Sequence, residues 1–164
     1  LTSDFNGRPD SIRAVLDASP DIFNHNIETV ERLTPSVRSR AKYHRSLDVL
    51  RIARGHAPAM ITKSGLMLGL GETDEEISTA LRDLRATGCD IVTIGQYLQP
   101  SPAHLPVARW VEPDEFNRWG RLASQLGFRS VASGPLVRSS YHADAVDVNS
   151  LRSLLTRNAD AAHP

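Results

Sequence analysis

Lys63 interrupts an otherwise apolar run from Met60 to Leu70, and a lysine in that setting has two chemical readings. Desolvation lowers the pKa of an amine, which would make Lys63 a Schiff-base nucleophile of the kind barrel aldolases use. Alternatively, the side chain enters a polar barrel mouth or pairs with a carboxylate. His25 stands between two asparagines, but none of the six histidines has a second histidine or a carboxylate at zinc-site spacing. A polar histidine with its hydrogen bonds met is therefore expected there. Asn24, Asn26 and Glu28 set two carboxamides and a carboxylate at a strand end, where they suit ribose hydroxyls or the charged groups of an amino acid. Capping the following helix is an equally open role for each of them. Gly69-Leu70-Gly71-Glu72-Thr73 is a glycine-rich turn into a helix, a place where backbone can approach a ligand closely. It lacks the Lys-Ser/Thr pair of a P-loop. Cys89, at the start of a strand, reads as a small buried thiol. Just past the last strand, Arg138, Ser139, Ser140, Tyr141 and His142 follow one another; they read as a phosphate or carboxylate clamp with Arg138 as its fork, or as a solvated loop.

The elements that must position these residues alternate regularly. A helix from Asp10 to about Ala18 puts Ile12, Val15 and Leu16 on one face, and Asp21 to Asn26 reads as a short strand. Leu47, Leu50 and Ala53 mark a second amphipathic helix, closed by Gly55 and Pro58. The Met60–Leu70 strand leads to Thr73-Asp74-Glu75-Glu76, a capping box. Ile77, Ala80, Leu81 and Leu84 supply the buried stripe of that helix, which Gly88 stops. Asp90 to Tyr97 is a strand rich in β-branched residues. Pro113 opens a helix with Phe116, Trp119, Ala123 and Leu126 on one face, ended by Gly127, and Arg129 to Ser133 is the last strand. Strand–helix alternation with near-continuous apolar strands predicts βαβ units and a parallel sheet covered by helices. The tail from about Asp144 reads as weakly structured, with one short helix around Leu151–Leu155.

Composition sets the outer bounds. The 164 residues carry 19 Lys+Arg against 19 Asp+Glu and are 40% hydrophobic, which fits one folded domain with a single sizeable core. Zero net charge gives no global field to attract nucleic acid or an anionic membrane, so neither is expected as a partner. One cysteine excludes an intrachain disulfide and a cysteine-rich metal site. No apolar run is long enough to span a membrane and no signal peptide is evident, so a soluble, cytoplasmic protein (mitochondrial if eukaryotic) is expected. Because the chain opens on Leu1 rather than Met, a processed product or fragment is also expected.

No G-x-G-x-x-G follows a strand, which argues against an open dinucleotide-binding sheet. Polar residues instead gather where strands end, at Asn24–Glu28, Gly69–Glu72, Gln96–Gln99 and Ser133-Gly134, and barrel active sites lie on that face. Only four or five strands are countable, whereas a full barrel of eight units needs roughly 250 residues. The sequence reads as the C-terminal part of a barrel whose opening strands are missing.

Four stretches carry a resemblance to a known family: Phe23–Val30 (FNHNIETV), Thr62–Thr73 (TKSGLMLGLGET), Thr93–Ser101 (TIGQYLQPS) and Val131–Ala143 (VASGPLVRSSYHA). In this order they resemble the signatures of the lipoyl synthases, a family of radical S-adenosylmethionine enzymes. The resemblance implies an α/β fold, an incomplete (β/α)6 partial barrel with parallel strands over residues 1–134, and a C-terminal extension over 135–164 that carries the Arg-Ser-Ser-Tyr segment. It implies two 4Fe–4S clusters and S-adenosylmethionine as cofactors. One cluster, held by a C-x-x-x-C-x-x-C motif, cleaves S-adenosylmethionine to a 5′-deoxyadenosyl radical. That radical removes hydrogens from C6 and C8 of an octanoyl chain on a carrier-protein lysine. The auxiliary cluster, held by three cysteines of an N-terminal motif and by a serine, donates the sulfur atoms.

Carried onto this chain, the resemblance makes Ser140 the iron ligand, with Arg138 beside it favouring the serinate, and gives both a catalytic role. Serinate is a harder ligand than thiolate, so one iron would be held more weakly and released as the cluster gives up sulfur. Asn26 and Glu28 would face the ribose and methionine end of S-adenosylmethionine. Lys63, Ser64, Gly69, Gly71 and Glu72 would lie along the adenosyl moiety, with Lys63 a polar pocket group. Octanoylated lipoyl-carrier domains or the glycine-cleavage H-type protein, and an electron donor such as flavodoxin or ferredoxin, are the implied partners. Both cysteine motifs are absent, so the chain alone is expected to hold neither cluster. Two other readings stand beside this one: a cluster-free barrel lyase using Lys63 as its imine nucleophile, and a non-catalytic remnant.

Overall fold

The computed structural model describes residues 1–140. Four parallel strands lie side by side in chain order: β1 (Ile22–Asn24), β2 (Ile61–Leu68), β3 (Ile91–Gln96) and β4 (Ser130–Ser133). Helix α1 (Pro9–Asp17) precedes β1, and α2 (Thr34–Val37) with α3 (Tyr43–His56) joins β1 to β2. Helix α4 (Asp74–Ala86) joins β2 to β3, and α5 (Pro113–Gln125) joins β3 to β4. This is the α/β, partial-barrel type of architecture that the alternation predicts. The expected features at residues 141–164, among them Tyr141, His142 and the Leu151–Leu155 helix, lie outside the described residues, as does most of the 135–164 extension.

Local chemistry sets the element boundaries. Thr73 Oγ1 accepts the Glu76 N–H at 3.3 Å while Glu76 Oε2 accepts the Thr73 N–H at 2.8 Å, which closes the predicted capping box of α4. Gly88, at φ +85°, turns the chain back toward β3. One expected boundary is corrected: α3 does not stop at Gly55 but runs through it to His56. Gly55 keeps a negative φ, and the helix ends where Pro58 bars its predecessor Ala57 (φ −131°, ψ 79°) from helical geometry.

Pleating sends alternate strand residues to opposite faces. Phe23, Leu66, Leu68, Val92 and Ile94 join Ile12, Leu16, Leu47, Leu50, Ile77, Leu81, Leu84 and Phe116 in a single core between sheet and helices. Fully burying side chains of this size stabilises by about 2 kcal/mol each. The opposite face carries Lys63, Gly65 and Met67 from β2 and Thr93 and Gly95 from β3, with Gly65 in register with Thr93 and Met67 with Gly95. At the amino ends of the strands, Asp90 is 2% exposed and ion-paired to Arg54 and to Arg129 (3.2 Å), and it also accepts the Thr62 N–H at 2.9 Å. No helix among the described residues is long and apolar enough to cross a membrane.

Candidate functional site

Beyond β1 the backbone leaves the strand yet stays against β2: Glu28 N donates to Gly65 O (3.0 Å) and Met67 N to Glu28 O (2.8 Å). Those two bonds hold Glu28 at φ +68°, a left-handed conformation that costs a non-glycine residue about 1 kcal/mol or more. They also bring Asn26 beneath it, where Asn26 Nδ2 donates to Glu28 Oε1 at 3.1 Å. Gly65 makes room for the amide, because a Cβ there would stand 3.0 Å from both Asn26 Oδ1 and Thr93 Oγ1. Gly95 makes room for the chain past β4, because a Cβ there would collide with Val137 O. These residues enclose a cavity of about 230 Å3 at the carboxyl ends of the strands, lined by Asn26, Glu28, Gly65, Thr93, Gly95 and Arg138, among others.

Asn26 and Thr93 offer this cavity free acceptors. Asn26 is 6% exposed, and its Oδ1 is buried with no hydrogen-bond partner among the described residues. Thr93 Oγ1 donates to Ser64 O (3.5 Å) and keeps lone pairs free. Burial holds the Glu28 carboxyl above its ordinary pKa, opposed by the Asn26 hydrogen bond and by the charge of Arg38. Arg38 donates to Asn26 O (3.0 Å), and Arg138 donates to Gln96 O (3.2 Å) and Val137 O (3.0 Å). Each guanidinium thus leans on carbonyls and keeps donors for an anionic group. A buried acceptor without a donor costs about 1–3 kcal/mol, so the cavity is complementary to a ligand that brings hydroxyl or ammonium donors.

A second, larger cavity of about 530 Å3 adjoins the first, sharing Glu28 and Met67 with it. Its far wall is the segment from Tyr97 to Pro106, part of a loop anchored at both ends. Gln96 is buried; its Nε2 donates to Tyr97 O (3.0 Å) and Arg109 O (3.2 Å), and its Oε1 accepts the Val111 N–H (3.0 Å). Gly69 O accepts from Ala108 N at 2.8 Å and Arg109 N at 3.3 Å. Gly69 sits at φ +103°, where a Cβ would strike Gln96 Nε2 and lie 2.6 Å from Arg109 O.

The structure therefore brings Asn26, Glu28 and Arg138 together and places the other candidates elsewhere. Ser64 Oγ accepts the Ile27 N–H (3.2 Å), which fixes the turn out of β1. Glu72 spends both carboxylate oxygens on its own turn, accepting from Gly69 N (2.5 Å) and Leu70 N (2.9 Å). Gly71, at φ +98°, serves the same turn. Lys63 is 3% exposed and lines neither cavity; burial alone lowers its pKa. Ser139 lines the smaller cavity, while Ser140 is exposed and does not. His25 departs from expectation: Nδ1 lies 3.1 Å from Thr2 O, but Nε2 is buried without a partner among the described residues. Gly65, Thr93, Gly95 and the clamp of Gln96 escaped the sequence reading. Their signal was small residues at inward-facing positions of neighbouring strands, visible only once register is known.

A cluster of iron and sulfur needs several thiolates. Cys89, the single cysteine, is fully buried, and burial pushes its thiol up to about 12, with Asp90 adding to the effect. No group of three metal-ligating side chains occurs among the described residues. The described residues thus do not fit an iron–sulfur cluster, whereas the unpaired Asn26 acceptor fits a ligand with ribose hydroxyls or an ammonium.

A parallel α/β sheet with a polar cradle at its strand ends is the setting in which the comparisons fall. The chain belongs to the Radical SAM superfamily, whose model matches residues 1–84. Within it the similarity is to lipoyl synthases: the chain is 60% identical over 143 residues to that of Rubrobacter xylanophilus, covering 87% of this chain and 44% of the relative. It is 57% identical over 147 residues to the lipoyl synthase of Thermus thermophilus (89% and 46%) and 54% identical over 162 residues to that of Acidothermus cellulolyticus (99% and 50%). These matches bear out the resemblance carried by the four motifs. The chain spans about half the length of these curated relatives.

Proposed function

We propose that this chain is the substrate-side portion of a lipoyl synthase, in which S-adenosylmethionine occupies the smaller cavity and two sulfur atoms are inserted at C6 and C8 of a protein-bound octanoyl-lysine. The observation that carries the reading is the buried Asn26 Oδ1, without a partner among the described residues, at the strand ends of a radical SAM chain. Asn26 Oδ1 and the Glu28 carboxylate accept from the ribose hydroxyls or the ammonium of the methionine moiety. Arg138 offers its free N–H groups to the methionine carboxylate, and Gly65 and Gly95 keep the floor open for the nucleoside. When bound, S-adenosylmethionine and the clusters supply hydrogen abstraction and sulfur; no described side chain of this chain replaces the cluster thiolates. The chain by itself therefore makes no lipoyl product. Ser140, at the exposed end of the described chain, is the auxiliary-cluster ligand in this reading, and Arg138, two residues away, favours its deprotonation. Octanoylated carrier domains or an H-type protein are the substrates, and a flavodoxin or ferredoxin supplies electrons.

The test is complementation in trans. The chain alone should leave a lipoyl-synthase-deficient bacterium dependent on added lipoate. Co-expression with the N-terminal half of the Thermus thermophilus relative should restore lipoylated protein on immunoblots, and Ser140→Ala should remove it. Lipoylation by the chain alone, or restoration untouched by Ser140→Ala, would contradict the reading.

A further inference from the structure

Lys63 takes no part in the binding just described, and its surroundings leave its charge unmet. It is 3% exposed, yet its amine has no hydrogen-bond or ion-pair partner among the described residues. Strand register defines its neighbours on the inward face of the sheet. Asn24 of β1 and Ile91 of β3 flank it in one row. Gly65 stands in the row above, between Asn26 and Thr93, and Ile61 in the row below, beside Ile22. None of these residues carries a charge. Asn24 has an unmet group of its own, since its Oδ1 is buried without a partner among the described residues.

The row of Lys63 continues beyond β1. Thr2 N donates to Asn24 O (2.8 Å) just as His25 N donates to Lys63 O (3.0 Å), so Leu1, Asn24 and Lys63 stand level across three adjacent segments. Leu1 lines the smaller cavity, which puts its side chain on the inward face. A strand that enters along this path runs beside β1 and turns every second side chain toward Lys63 and the row below it. The chain past β4 takes another route: Val137 O approaches Gly95, two rows above Lys63 toward the carboxyl ends. An acid on a strand beside β1 therefore reaches the amine more directly than one on the segment that follows Ser140.

We propose that Lys63 forms an ion pair with a carboxylate carried by the amino-terminal half of the protein, and that this pair sets the register in which the two halves meet. The inference rests on the proposed function, which takes this chain as one portion of a longer enzyme. The partner is a strand with one Asp or Glu among apolar residues, because a parallel strand covered on both faces is otherwise apolar. An ammonium has three donors, so one N–H serves that carboxylate while another serves Asn24 Oδ1. A slipped register would strand both charges in the interior, which makes wrong docking costly.

The test pairs the 164-residue chain with the amino-terminal half of the Thermus thermophilus relative, and compares the parent with Lys63→Met, which keeps the apolar stem. Biolayer interferometry should show Lys63→Met binding the half at least about tenfold more weakly, because the carboxylate is left without its cation. Alone, the same variant should melt no lower than the parent, having lost only an unpaired charge. Equal affinity of the two chains for the half, or a lone Lys63→Met chain that melts below the parent, overturns the proposal. A carbodiimide, which condenses a paired amine and carboxylate to an amide, locates the partner by peptide mass. Lys63 should be joined to an Asp or Glu of the amino-terminal half, and joining to Asp144, Asp147 or Asp160 of its own chain overturns the proposal too. Lipoylated protein on immunoblots of the same co-expressed pair separates the two claims. A Lys63-dependent complex that makes none sinks the proposed function and spares the ion pair. Lipoylation with no effect of Lys63→Met on association sinks the ion pair alone, and halves that do not associate sink both.

Discussion

At the amino ends of the strands, the buried carboxylate of Asp90 receives Arg54, Arg129, the Thr62 N–H and the Thr62 hydroxyl, whereas at the carboxyl ends the buried Asn26 Oδ1 has no donor among the described residues. Both ends belong to one sheet and share the same helices. The difference lies in what each polar group is for. A buried charge with its full complement of donors fixes the starts of β2, β3 and β4 relative to one another. A buried acceptor left open is a cost that a ligand repairs. In barrels built from βα units the amino face reads as stability and the carboxyl face as chemistry, and this chain divides its polar groups in that way.

The largest effect is expected at Asp90. Asp90→Ala leaves Arg54 and Arg129 turned inward without their carboxylate and should cost about 3 kcal/mol or more in urea unfolding, since losing one partner of a buried pair strands the other. A loss below about 1 kcal/mol would mean that the network is ornamental. Gly95→Ala is next: its methyl group must displace Val137 O, so about 1–3 kcal/mol should be lost along with the seating of the 134–138 turn. Hydrogen exchange should show that turn opening while β2 stays protected. Asn26→Ala should behave oppositely to Asp90→Ala, with stability changed by no more than about 1 kcal/mol because an unpaired acceptor is removed together with a single hydrogen bond. Differential scanning calorimetry checks it.

The smallest effect concerns pH. Burial raises the Glu28 carboxyl in the folded state, so its contribution favours folding below the ordinary glutamate range and is lost as pH rises through the folded value. Glu28→Gln keeps an acceptor for Asn26 but removes that loss. At neutral pH the variant should be at least as stable as the parent, the difference narrowing as the pH falls below about 4. A parent that gains over Glu28→Gln as pH rises would show that Arg38 and Asn26 outweigh burial.

Much of the fold was legible because it is local. The Thr73–Glu76 box, the stripe Ile77, Ala80, Leu81 and Leu84, and the terminators Gly88 and Gly127 lie within reach of their own helices, and they ended where periodicity put them. Gly55 misled because glycine ends a helix only when the chain needs a positive φ there, and Pro58 had already set the stop. The site was half legible. Asn26 and Glu28 stand out by type at a strand end, and Arg138 by its place after the last strand. Glu72 looked equally suitable, yet its carboxylate closes a turn two and three residues upstream, a use that spacing alone does not distinguish from ligand binding. Gln96 could not be read, because its three partners lie up to fifteen residues away on a segment with no periodicity.

In the proposed function the open acceptors at the carboxyl ends serve S-adenosylmethionine. Isothermal titration of the chain with that compound, run on the parent and on Asn26→Ala, tests it most directly. Saturable binding by the parent is expected, with a loss of about tenfold or more in Asn26→Ala, which still melts at the parent's temperature. Absence of binding by the folded parent, or equal affinity in the two proteins, would contradict it.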